Sequence, residues 1–115
     1  MPPLVLASTS RYRAQLLARL GLPFESVRPE VDERPLPGEP PATLALRLAA
    51  AKAGAVAAAR PDALVLGSDQ VASCDGRILG KPGNRDAAIA QLQRMSGREA
   101  VFLTAVALAR AGKPV

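Results

Sequence analysis

A chain of 115 residues with net charge +5, 49% apolar and only 3% aromatic, suits one domain (1–115) with a core of Leu, Val and Ala. With no histidine and one cysteine, Cys74, the sequence excludes serine–histidine and cysteine–histidine catalysis and an internal disulfide and argues against a zinc centre, so any metal must be a hard one on oxygen ligands. The basic residues are scattered without interleaved aromatics, which argues against dedicated nucleic-acid binding; Arg or Lys interrupts every apolar run and the N-terminus lacks a signal-peptide pattern, so a cytoplasmic protein that does not enter a membrane is expected.

In chain order, Leu4-Val-Leu-Ala7 reads as a strand. Ser8, Thr9 and Ser10 each offer a hydroxyl to cap the following helix, which Leu16, Leu17 and Leu20 carry and Gly21 closes. Pro23–Val27 suits a second strand. The stretch from Pro29 to Pro41 mixes five prolines with Glu30, Asp32, Glu33 and Glu39, the pattern of a stiff acidic loop. An alanine-rich helix is predicted from about Ala42 to Ala59, stopped by Pro61. A strand from Leu64, a turn at Asp75-Gly76 and a hairpin partner come next, then a helix capped near Asn84 and ended by Gly97. Ala100–Leu108 is the last strand, leading to a turn at Ala111-Gly112. This order predicts an α/β fold with a mixed β-sheet and flanking helices. A hairpin without its return strand would leave an apolar edge bare. Either a partner, such as a second copy in a homodimer, covers that edge, or the chain belongs to a longer protein; the second is the expectation.

The stretch Leu64–Val71 organises the rest. Its apolar start suits a buried strand, which Gly67 and Ser68 interrupt before Asp69 and Gln70. A carboxylate at the end of a buried strand is costly unless a cation meets it. Such a strand can also simply end in a turn. Only three of the fifteen basic residues are lysines, and two of them, Lys52 and Lys81, lie near suspected sites. Lys52 shares a helical stripe with Leu48 and Val56, where it either snorkels to water or meets an anion. A compact ammonium suits phosphate oxygens. The Ser8–Arg13 segment, between a strand and a helix, is laid out for anion binding, although serine and threonine also begin helices with no ligand. Glu33 reads on its own as a solvated loop charge.

Together, Leu6-Ala-Ser-Thr-Ser-Arg-Tyr-Arg13, Val31-Asp-Glu33, Arg47-Leu-Ala-Ala-Ala-Lys52, Gly67-Ser-Asp-Gln-Val71 and Gly76-Arg-Ile-Leu-Gly-Lys-Pro82 resemble the Maf family of nucleoside triphosphate pyrophosphatases. The Gly-Ser-Asp-Gln form is similar to the branch acting on 7-methyl-GTP. The chain departs from the family at Arg11, usually proline, and at Tyr12, usually tryptophan in that branch. The resemblance implies a Maf/ITPase-like α/β core around a cleft, with this chain matching about the first three-fifths of the family's length and a cleft-forming second lobe largely outside it. It further implies hydrolysis between the α- and β-phosphates. In that scheme Asp69 is the base and shares Mg²⁺ or Mn²⁺ with Glu33. Arg13, Lys52 and Lys81 neutralise the triphosphate, Ser8 and Ser10 position its oxygens, and Gln70 and Tyr12 lie nearer the base. An alternative is a nucleotide-sensing module in cell division. Asp69 discriminates between the two, because a sensor gains nothing from a base.

Overall fold

Short apolar runs in this chain become strands and the alanine-rich segment becomes the helix that covers them. The computed structural model describes residues 2–74, 77–79, 84–95, 100–111 and 113–114. The elements are β1 (Leu4–Ala7), α1 (Arg11–Ala18), β2 (Glu25–Val27), α2 (Pro41–Ala59), β3 (Leu64–Cys74), β4 (Arg77–Leu79), α3 (Arg85–Met95), β5 (Ala100–Arg110) and β6 (Lys113–Pro114). They build one six-stranded mixed sheet in the order β2-β1-β3-β5-β6, with β4 on β3. β1 is parallel to β2 and β3, while β4 and β5 run antiparallel to β3. The α/β class with a mixed sheet is as expected. The hairpin partner β4 pairs Cys74 with Arg77 and Ala72 with Leu79; its turn, Asp75-Gly76, and the helix end at Gly97 lie outside the described residues.

Helix α2 explains the alanine content. Pro41 stands at its first turn, where a missing N–H costs nothing. Ala45, Ala49, Ala53 and Ala57 form one buried row and Leu44, Leu48, Lys52 and Val56 the next. Both rows lie against the sheet, packing with Val5, Val65, Val71, Ala105 and Ala109. Small side chains bring the helix very close to β3. A Cβ on Gly67 would lie 2.3 Å from the Ala49 carbonyl oxygen and 2.7 Å from the Ala53 nitrogen. Gly67 therefore admits the helix and does not interrupt the strand. This corrects the sequence reading: β3 continues unbroken to Cys74, and Asp69 is mid-strand, paired with Ala105. By length and composition α2 is also apolar enough to cross a bilayer, contrary to expectation; here 44% of it is buried inside the fold.

Two further expectations change, on the buried face of α1 and on the last hairpin, while the helix caps fall where expected. Leu17 is buried, but Leu16 and Leu20 stay exposed, so α1 lies only partly against its sheet face. Ser10 is the helix cap, its Oγ accepting from the Arg13 N–H, and Gly21 ends the segment at φ +74°. The return strand judged absent is present as β6, which pairs with Ala109 and Arg110. Phe102 (62% exposed), Val106 and Leu108 nevertheless remain open to solvent. Asn84 caps α3 by accepting from the Ala87 N–H at 2.8 Å.

Candidate active site

The site begins as an opening in the sheet. β1 accompanies β3 only as far as Ala7 opposite Gly67, and β4 joins β3 again only at Ala72. Along Ser68–Val71, pairing among the described residues comes from β5 on the other side alone. At this point β1 turns away into Ser8–Ser10 and α1 while β3 continues. The chain leaves β1 for β2 on one side and has β3 on the other, so strand order reverses here. Open α/β sheets bind ligands at such a point, beyond the carboxyl ends of the strands.

Two hydroxyls from the β1–α1 turn, those of Ser8 and Ser10, face this opening. Ser8 is buried, and its Oγ accepts from the Ser10 N–H at 3.0 Å; the Ser10 Oγ accepts from the Arg13 N–H at 3.3 Å. Each oxygen thus takes up a backbone donor of the tight turn, which leaves the hydroxyl hydrogens to donate to an anion. With Arg13, Lys52 and Glu33 they line a cavity of about 480 Å³.

Across it, α2 and β3 bring Lys52 to Asp69. The Lys52 side chain does not snorkel: Lys52 is 8% exposed and its Nζ donates to Asp69 Oδ1 at 2.8 Å. Asp69 is 6% exposed and points to the helix side because it shares the face of Val65 and Gly67. Glu33 comes in from the proline-rich loop, its Oε1 2.9 Å from the same Nζ. The loop carboxylate is therefore an ion-pair partner and not merely solvated. Burial pushes the ammonium's pKa down, but the hydrogen bonds it donates to Asp69 and then Glu33 outweigh it, so Lys52 ends above its ordinary value and stays charged. Asp69, Glu33, Lys52 and Arg13 also face a second cavity of about 500 Å³ with Gln70, Leu48 and Ile78. A third, about 450 Å³, lies on the opposite sheet face between Tyr12 and Leu16 of α1 and Gln70, Thr104 and Val106 of the strands. Arg13 borders all three and Gln70 two of them. Volumes of this size suit small ligands.

Ser8, Ser10, Arg13, Glu33, Lys52, Asp69 and Gln70 are thus gathered around one opening. Tyr12 is 69% exposed on the far side of α1 and joins them only through Arg13 and Gln70. Lys81 lies outside the described residues. Arg47 and Glu39, quoted or noted in the sequence without a role, prove to be paired, with Arg47 Nε 2.7 Å from Glu39 Oε2. Their separation of eight residues, spanning a loop and a helix start, carries no local signal. Among the described residues no three His, Cys, Asp or Glu side chains converge as a metal cage. Asp69 and Glu33 do converge on one cation, the Lys52 ammonium. Carboxylate oxygens are the donor type that suits a hard cation.

The chain is similar to known proteins along nearly its whole length. The family described as Maf-like protein matches residues 3–114. A 7-methyl-GTP pyrophosphatase of Xanthomonas campestris pv. campestris is 62% identical over 108 residues, which is 94% of this chain and 56% of that protein. One of Aromatoleum aromaticum is 62% identical over the same shares. A third, of Bordetella pertussis, is 58% identical over 107 residues, 93% of this chain and 54% of that protein. The chain thus spans little more than half the length of these curated relatives. On the match of nearly its whole length, it belongs to the Maf family.

Proposed function

We propose that this protein hydrolyses the α–β phosphoanhydride of a nucleoside triphosphate, 7-methyl-GTP in particular, to the monophosphate and pyrophosphate, in the cytoplasm. The observation that carries the reading is the Asp69–Lys52–Glu33 cluster beside the Ser8–Arg13 turn: a buried carboxylate at an opening otherwise lined for a polyanion. The names of the relatives support the same activity. The triphosphate would lie across the opening, with Ser8 and Ser10 donating hydroxyl hydrogens to its oxygens. Arg13, Lys52 and Lys81 would balance its charge. Asp69 would accept a proton from the attacking water as the new P–O bond forms and pyrophosphate departs with the electrons of the broken anhydride bond. Asp69 and Glu33 would hold Mg²⁺ or Mn²⁺, which when bound neutralises phosphate charge. A nucleotide sensor would need Lys52 but not a carboxylate buried where water must be activated, which favours turnover.

Tyr12 and Gln70 border the groove on the other sheet face, where the base would lie. N7-methylation places positive charge on guanine, and an aromatic face attracts such a ring by roughly 0.5–2 kcal/mol. Pyrophosphate release over a panel of ordinary and methylated nucleotides is expected to be highest for 7-methyl-GTP; no release from any of them would overturn the proposal. In the same assay Tyr12→Leu should lower kcat/KM for 7-methyl-GTP by about 2- to 30-fold, with a smaller change for GTP. A constant ratio between the two substrates would show that Tyr12 does not read the base.

Lys52→Ala is expected to weaken triphosphate binding more than monophosphate binding, because the ammonium faces the phosphate side of the opening. Calorimetry with both ligands measures this. Equal losses would remove Lys52 from the phosphate chain.

A further inference from the structure

The acidic, proline-rich segment 28–40 has no regular structure, yet it is held by a local turn beside Glu33 and by a tie to α2 further on. Next to Glu33, Asp32 accepts from the Arg34 backbone N–H at 3.0 Å and from the Arg34 guanidinium at 2.8 Å. Further on, the Glu39 carboxylate receives Arg47 of α2 through two parallel bonds, Nε to Oε2 at 2.7 Å and Nη2 to Oε1 at 2.9 Å. The same Nη2 donates to the Arg34 carbonyl at 3.1 Å, and Glu39 Oε1 also accepts from the Leu36 N–H at 3.1 Å. Between the two anchored points Pro35 and Pro37 restrict φ, and Gly38 at φ +72° allows the turn closed by the Glu39 N–H to the Leu36 carbonyl. The guanidinium bond holds the Glu39 carboxyl below its usual range, so the clamp is charged on both sides at neutral pH.

We infer that Arg47 is a positioning residue for Glu33: by clamping Glu39 and the Arg34 carbonyl onto α2, it sets the stiff strap so that the Glu33 carboxylate meets Lys52 and Asp69. Glu33 sits on a loop, and its neighbour Arg34 is the residue whose backbone Arg47 grips. Without that grip, the loop could hold its own Asp32–Arg34 turn while its carboxylate moved away from the opening. A forked guanidinium is required because two oxygens and a carbonyl are bound together; a lysine carries the charge but not the fork. The inference rests on the reading of Glu33 as a residue that holds the divalent cation.

The test is Mn²⁺ binding followed by electron paramagnetic resonance, with a nucleoside triphosphate whose α–β bridge is methylene so that no turnover occurs. Glu33→Gln, Arg47→Ala, Arg47→Lys and the Glu33→Gln/Arg47→Ala double variant are compared. Arg47→Ala is expected to weaken Mn²⁺ by about 10-fold or more, the scale on which losing a partner behind a cation-holding residue is felt. In the Glu33→Gln background the same change should add nothing, because the residue it positions is already removed. Arg47→Lys, which keeps the aliphatic stem should the alanine variant fold poorly, should weaken Mn²⁺ as well. If Arg47→Ala and Arg47→Lys leave Mn²⁺ affinity intact, or their effect is undiminished in the Glu33→Gln background, the positioning role is wrong. If Glu33→Gln itself has no effect, the underlying reading of Glu33 fails and takes the inference with it.

Discussion

Asp69→Asn is expected to lower turnover by about 10²–10⁴-fold, the usual scale for removing a group that moves the proton in the rate-limiting step. The substitution separates chemistry from folding unusually well at this position. Asn has the same shape, and its side-chain oxygen can still accept the Lys52 ammonium, which also keeps Glu33 at 2.9 Å. No buried cation is left without a carboxylate, so the large penalty of breaking a buried pair by deleting one partner does not arise. Nucleotide binding, measured by calorimetry with the methylene analogue, should be retained within a small factor while steady-state pyrophosphate release collapses. Near-normal turnover in the Asn variant would remove Asp69 from the proton transfer and reopen the sensing alternative.

Gly67→Ala is expected to destabilise the fold by about 1–3 kcal/mol, the range for forcing atoms into a filled core, or more if α2 must lift along its length. The sign is opposite to what the residue type suggests, since glycine inside a strand normally costs about 0.5–1 kcal/mol relative to alanine. It is decided by the neighbours. The new Cβ would meet the Ala49 carbonyl oxygen at 2.3 Å and the Ala53 nitrogen at 2.7 Å, and both are backbone atoms of a helix that cannot swing aside like a side chain. Relief requires the helix to move away from β3, which also separates Lys52 from Asp69. For a chain of this size the expected fall in Tm is about 4–12 °C, read by circular dichroism. An unchanged or higher Tm would mean that α2 packs farther from β3 than described.

Much of this protein was legible in the order of its residues because local signals are written locally. The apolar Leu4–Ala7 run, the Ser10 cap, Gly21, Pro41 and Pro61 bracket elements close to where they form, since caps, proline φ and glycine freedom act within a few residues. The stripe that carries Lys52 was visible for the same reason: helical spacing alone places it with Leu48 and Val56. That Lys52 turns inward was not visible, because its two partners stand seventeen residues ahead and nineteen behind in the chain, and only the packing of α2 on β3 and the course of the loop bring them together. Gly67 was misread on the same account, as a breaker, when the reason for glycine is a helix backbone that the strand's own sequence does not mention. Leu16 and Leu20 show the converse: their spacing promises a buried face, yet the sheet beneath α1 takes in Leu17 and leaves them exposed. The residue types at the site, hydroxyls, cations and carboxylates, were determined by the sequence by itself; which cation answers which carboxylate was decided only by tertiary structure, because an ion pair depends on distance through space and on the water excluded around it.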